Sequence, residues 1–140
     1  MNNSAGRFPV TQANVEETYE FVFAPWVKAQ GLCDFVVSEG RVAARLPYDT
    51  RQAFFTEAVC GQALMSAIDT VAALAMATTP RPSKGTIYQH THFLRPAVGE
   101  AFLIEAEVIR FGKATAYAET SVTEISSKAL IARASSEFAF

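Results

Sequence analysis

One segment constrains this chain more than any other. Residues 58–79 carry a single charged side chain, Asp69, and no Lys or Arg occurs between Arg51 and Arg81. Such a run invites a membrane reading, but its apolar content is mostly Ala, interspersed with Ser, Thr and Gln. A central Asp costs about 2.5–3.5 kcal/mol on insertion scales. The segment is therefore expected to be a buried helix over about residues 59–77, stopped by Thr78-Thr79-Pro80-Arg81-Pro82. No membrane partner is expected. A helix apolar nearly all round must be wrapped by other elements.

The rest of the chain supplies the wrapping. Residues 86–94, 101–110, 115–124 and 129–138 read as strands. Phe102, Ile104, Ala106 and Val108 alternate with Leu103, Glu105, Glu107 and Ile109. Breaks fall at Pro96-Ala97-Val98-Gly99, at Gly112-Lys113 and at Ser126-Ser127. Residues 32–38 and 41–46 read as a hairpin turning at Glu39-Gly40, followed by a loop over residues 47–55. Upstream, Val15, Tyr19, Val22, Phe23 and Trp26 recur at helical spacing over residues 14–30. Asn14 is the expected N-cap with Glu17 three residues on, Gly31 closes the helix, and Pro25 predicts a kink or break. Short links between successive strands predict antiparallel neighbours. The order is thus helix, two strands, buried helix, four strands, with no repeat or linker, in 140 residues that read as one domain. A buried helix wrapped by a curved antiparallel sheet of about six strands is the α+β hotdog architecture. Its outer face or edge is where a second copy would dock.

Half the residues are hydrophobic, an apolar surplus that points to burial against another subunit, as a homodimer or homotetramer. The 12 basic and 14 acidic residues show no basic excess, so no nucleic-acid partner is expected. Cys33 and Cys60 form neither a disulfide framework nor a metal-ligand spacing. The first residues are polar and lack an apolar run, so no leader is expected and a reducing, cytoplasmic setting is the default.

Asp69 is the most informative residue. Its helical neighbours are Gln62, Met65, Ala72, Ala73 and Met76, while Leu64, Ala67, Ile68, Val71, Leu74 and Ala75 are expected against the sheet. A carboxylate in an apolar helix must be hydrogen-bonded, paired or turned to a wet cleft. It is either a structural group bonded across an interface, or a base or nucleophile in a mostly dry pocket. Cys60-Gly61-Gln62 opens the same helix, where free N–H groups and the helix dipole suit an anion or oxyanion. Gly61 permits close approach to backbone. Gly61 and Asp69 are roughly 12 Å apart along the axis, too far to flank one carbonyl. A dimer resolves this by facing Asp69 of one copy to the helix start of the other. His90 and His92 share one strand face with Tyr88 and Leu94, but no third ligand completes a metal site nearby in sequence.

The run Cys60-Gly61-Gln62-Ala63-Leu64-Met65-Ser66-Ala67-Ile68-Asp69-Thr70 resembles the signature helix of the PaaI-like hotdog thioesterases. That family usually reads His-Gly-Gly, an apolar run, then Asp-Thr or Asp-Asn nine residues after the His. Thr91-His92-Phe93-Leu94-Arg95-Pro96 resembles the family's strand ending in Phe-Leu-Arg-Pro, and residues 104–119 its following hairpin. The resemblance implies hydrolysis of an acyl-CoA thioester. Asp69 would be base or nucleophile, the Gly61 and Gln62 amides would hold the oxyanion, and Thr86 would help position water. No cofactor is implied, because CoA is part of the substrate. Cys60 stands where the family has His, Gln62 where it has the second Gly, and Phe54 where some relatives carry Asn, with Gln52 nearby. Cys60 is expected to fill space beside the amides. Phe54, Phe55 and Tyr88 are expected to shape the acyl pocket, and Arg95 and Lys113 to meet the CoA phosphates. The competing readings are a non-catalytic acyl-CoA-binding module and, third, a hotdog dehydratase.

Overall fold

A computed structural model describes residues 7–140. The chain runs α1 (Val15–Val22), α2 (Pro25–Lys28), β1 (Cys33–Ser38), β2 (Arg41–Pro47), a 3-10 turn (Thr50–Gln52), α3 (Gly61–Met76), β3 (Gly85–Phe93), β4 (Ala101–Phe111), β5 (Thr115–Glu124) and β6 (Leu130–Ala139). Six antiparallel strands form one sheet in the order β1-β2-β4-β5-β6-β3. α3 packs against β2 to β6, and the hotdog arrangement expected from the sequence is present.

The core follows from two periodicities meeting. On β5 every second residue is buried from Ala116 to Glu124, and β4 turns Phe102, Ile104 and Ala106 the same way. α3 answers with Leu64, Ile68, Val71, Leu74 and Met76. Each large side chain removed from water is worth about 1.5–3 kcal/mol. Ala67, Ala72 and Ala75 are fully buried; their small side chains let the helix axis come close to the sheet.

The break expected at Pro25 is present and two other local expectations change. The upstream helix is two helices. Pro25 has no N–H to give to a preceding turn, so Phe23 and Ala24 are extended and Pro25 opens α2 instead. Asn14 does not cap α1 with its side chain, which turns back to accept from the Thr11 N–H and donate to the Pro9 carbonyl. Glu17 reaches Arg7 at 3.2 Å rather than closing a capping box. Second, β3 and β4 are successive but not neighbours. β3 pairs with the C-terminal strand β6 and forms a sheet edge. The link over residues 94–100 crosses the open end of the sheet, where the Val59 N–H donates to the Ala97 carbonyl at 2.9 Å.

The β5–β6 turn beneath that link is pinned by Glu124. Its carboxylate accepts from the backbone N–H and hydroxyl of both Ser126 and Ser127. These bonds, those of Ser127 foremost, hold its pKa down to about 2. Gly99 lies against it at φ +152, and a Cβ there would fall 2.6 Å from Glu124 Cγ, so this position admits only glycine.

Candidate active site

The outward stripe of α3 is Gly61, Gln62, Met65, Ser66, Asp69 and Ala73, all exposed or half-buried. Ala72 and Met76, expected beside Asp69, lie in the core instead.

Asp69 is half-buried, and Thr86 donates its hydroxyl to Asp69 Oδ1 at 2.8 Å. Thr86 reaches it because β3 is irregular there: the pairing with β6 shifts between Thr86 and Tyr88. The bulge resets the alternation. Thr86 therefore shares the helix side of the strand with Gln89, Thr91 and Phe93. Tyr88, His90 and His92 take the outer side. The two imidazoles stack there at 4.8 Å between centroids, and His92 borders a groove with Glu119 and Arg133. Tyr88 is thus on the opposite face of β3 from Asp69.

The N-terminus of α3 is open. Among the described residues the Gly61 and Gln62 amides meet no acceptor, whereas those of Ala63 and Leu64 both donate to the Cys60 carbonyl. Within this chain, the group that approaches Gly61 closely is Phe93. A Cβ on residue 61 would lie 3.2 Å from Phe93 Cζ. Cys60 is the N-cap residue, half-buried and packed at the margin of the core, with its own N–H bonded to the Gln52 carbonyl at 2.8 Å. Buried Gln30, which the sequence reading did not single out, braces this end. Its Nε2 donates to the Ala63 carbonyl, and its Oε1 accepts from Ser66 Oγ at 2.8 Å.

A groove of about 560 Å³ runs past the helix start, lined by Phe54, Val59, Gly61, Phe93, Arg95 and Ala97 among others. Phe55 is fully exposed and lies outside this lining. One Arg95 nitrogen, Nη1, donates to the Leu130 carbonyl. Lys113 is elsewhere: it sits in the β4–β5 turn, beside Arg81, which donates to the Lys113 and Gly112 carbonyls. The length of β5, roughly 30 Å at 3.3 Å per residue, separates that turn from the Arg95 end.

A second cavity of about 480 Å³ lies past Asp69 along α3. Phe8, Val22, Phe23, Ala73, Ala77 and Phe138 are among its walls, and Thr86 lies on its border. The sequence carried one signal of it: Ala73 and Ala77 follow Asp69 at helical spacing on the same stripe. The aromatic and aliphatic walls come from the N-terminal segment and from β6, whose approach no local pattern shows. Among the described residues no three His, Cys, Asp or Glu side chains gather as a metal site, and no helix is long and apolar enough to cross a membrane.

A six-stranded antiparallel sheet closed on one long helix, with a carboxylate–hydroxyl pair at mid-helix and free amides at its start, is a hotdog protein. The sequence profile of the thioesterase superfamily matches residues 59–128, half of the chain, and the protein belongs to that superfamily. Among solved structures it resembles thioesterase superfamily member 2 of zebra fish, with TM-score 0.82 and 18% identity over 93% of this chain and 98% of that one. It also resembles the PaaI protein of the E. coli phenylacetic acid degradation operon, with TM-score 0.80 and 20% identity over 91% and 90% of the two chains. A third is smu.793 of Streptococcus mutans bound to acetyl CoA, with TM-score 0.70 and 18% identity over 76% and 86%. No curated protein matches the chain.

Proposed function

We propose that this protein hydrolyses acyl-CoA thioesters to the free acid and CoA, working as a homodimer. The observation that carries the reading is the Asp69–Thr86 pair, a carboxylate held at 2.8 Å by a hydroxyl on the open face of an otherwise apolar helix. With Oδ1 engaged by Thr86, the second oxygen is left to accept a proton from water. Water attacks the carbonyl carbon and its proton passes to Asp69. The new C–O bond gives a tetrahedral intermediate whose collapse breaks the C–S bond, and the departing CoA thiolate takes up the proton from Asp69. General-base help of this kind is typically worth about 10²–10⁴-fold. The negative oxygen of the tetrahedral intermediate needs donors, and the Gly61 and Gln62 amides have that capacity.

Those amides stand too far along α3 to serve Asp69 of their own chain, so a second copy supplies them. Support comes from the edge strand. No residue of β3 is buried, and the strand, with Leu94 just past its end, presents Ile87, Tyr88, Phe93 and Leu94, each about half exposed. An apolar strand with an unpaired backbone edge is a template for pairing with another chain. Binding of acetyl CoA by the Streptococcus mutans relative, and membership of the superfamily, support CoA esters as the substrate class.

Thiol release measured across a panel of acyl-CoA esters, alongside sedimentation, tests both parts. The expected result is turnover by a dimer or tetramer with no stable monomer at micromolar concentration. Saturable CoA-ester binding without turnover would replace the hydrolase with a binding module. A folded, active monomer would refute the two-chain site.

A further inference from the structure

Resting on the hydrolase reading, we propose that the cavity beyond Asp69 is the acyl-group site. It selects an uncharged, apolar acyl chain of roughly eight to twelve carbons. Three observations converge on it. The first is position. Thr86 borders both Asp69 and the cavity, so a thioester carbonyl placed at the carboxylate has the cavity as the continuation of its acyl side. Ala73 and Ala77 lie one and two turns further along α3 and keep that path open, because neither carries more than a methyl group.

The second is wall chemistry. Phe8, Val22 and Phe23 roof the space, and the roof is fastened. The Val10 N–H donates to the Ala77 carbonyl at 2.8 Å, and Thr18 donates its hydroxyl to the Arg7 and Asn14 carbonyls. The single charged residue of the lining is Arg81. Its Nη1 and Nη2 donate to the Lys113 and Gly112 carbonyls, and its plane lies over the Phe140 ring at 4.8 Å. Both terminal nitrogens thus hold Arg81 against the β4–β5 turn at the rim, and the rest of the lining carries no charge, so an apolar chain gains there by leaving water.

The third is size. A volume of about 480 Å³ falls within the roughly 300–1,000 Å³ of small-ligand sites. At roughly 30 Å³ per heavy atom, the volume a water occupies in the liquid, partial filling holds a chain of about eight to twelve carbons.

The test uses S-alkyl-CoA thioethers, which cannot be hydrolysed, and titration calorimetry on the intact protein. S-octyl-CoA should bind at least tenfold more tightly than S-methyl-CoA. Ala73→Leu should bring that ratio near one, and Ala77→Leu, deeper in the cavity, should reduce it part-way. In thiol-release assays the preferred acyl length should shorten in the same order. If Ala73→Leu fails to fold, Ala77→Leu and Val22→Trp on the roof carry the same comparison. Equal wild-type affinity for the two thioethers would overturn the proposal, as would an octyl preference that survives every filling substitution. An octyl preference without hydrolysis of octanoyl-CoA would retain the cavity and discard the hydrolase. Hydrolysis with no chain-length preference would do the reverse.

Discussion

The two halves of α3 face different surroundings although one helix makes both. Its first turns open on a wide groove with free amides, Phe93 against Gly61, and Arg95 nearby. Its last turns face a more enclosed apolar cavity walled by alanines and by the N-terminal segment. Asp69 sits between them. A helix carries partial positive charge at its N-terminus whatever its sequence. A CoA ester has a matching division, with a charged nucleotide at one end and an apolar acyl group at the other. The contrast teaches that Asp69 stands at the boundary between a polar and an apolar stretch of one helix face.

The largest expected effect breaks the boundary itself. Asp69→Asn keeps the size and most hydrogen bonds but cannot take a proton. Thioesterase kcat should fall by about 10²–10⁴-fold, with folding and CoA binding retained. Near wild-type turnover would make Asp69 a structural residue.

Gly61→Ala sharpens the N-terminal side. The added Cβ would sit 3.2 Å from Phe93, a half-exposed ring free to give a few tenths of an ångström. Stability should change by less than about 1 kcal/mol, the scale of the Gly-to-Ala helix preference. The displaced ring crowds the amides, however, so kcat/KM should fall roughly tenfold, on the low side of losing one oxyanion donor. A fall in melting temperature with full activity would show that the glycine serves packing alone.

Arg95 and Lys113 divide the two ends more finely. Arg95→Ala should raise KM for CoA esters a few-fold, on the order of one exposed charge-assisted contact. The pantetheine thioester, which lacks the nucleotide, should be unaffected. Lys113→Ala should leave both substrates alone, because its turn lies a strand's length away. Equal effects of the two substitutions would erase the distinction.

The smallest effect is on acid stability at the link end. Glu124 titrates near 2 in the folded protein against an ordinary 4.5. Between those values the unfolded chain binds the proton and the folded one does not. Stability from this group is therefore present above about pH 4.5 and lost as pH falls toward 2. Melting temperature should drop more steeply across that window in the wild type than in Glu124→Gln. Parallel curves would assign acid sensitivity to other carboxylates.

Much of this was legible in one dimension. The apolar run closed by Thr-Thr-Pro-Arg-Pro gave α3 nearly to the residue, and Glu39-Gly40, with Gly40 at φ +72, turned the hairpin as read. Asp69 stood out because a lone charge in an apolar helix needs a reason, and Thr86 entered through the family resemblance. Tyr88 shows the limit. Its strand was read correctly, but a one-residue bulge decided which of its side chains face the helix, and a bulge has no periodic signature. Asn14 does stand at the N-cap position, but its side chain bonds Thr11 and Pro9 in the segment just before it instead of the first turn of α1.

By itself, then, the sequence determined which segments are helix and strand, which face of each is apolar, and where a carboxylate breaks the apolar pattern. These depend on spacing within one element, which a linear reading contains. Only the tertiary structure decided that β6 comes between β5 and β3, that Arg95 and Lys113 stand at opposite ends of the sheet, and that Phe8 and Phe23 roof a cavity beside Ala73. Those facts depend on contacts between residues far apart in the chain, and such contacts are chosen by the packing of whole elements against one another.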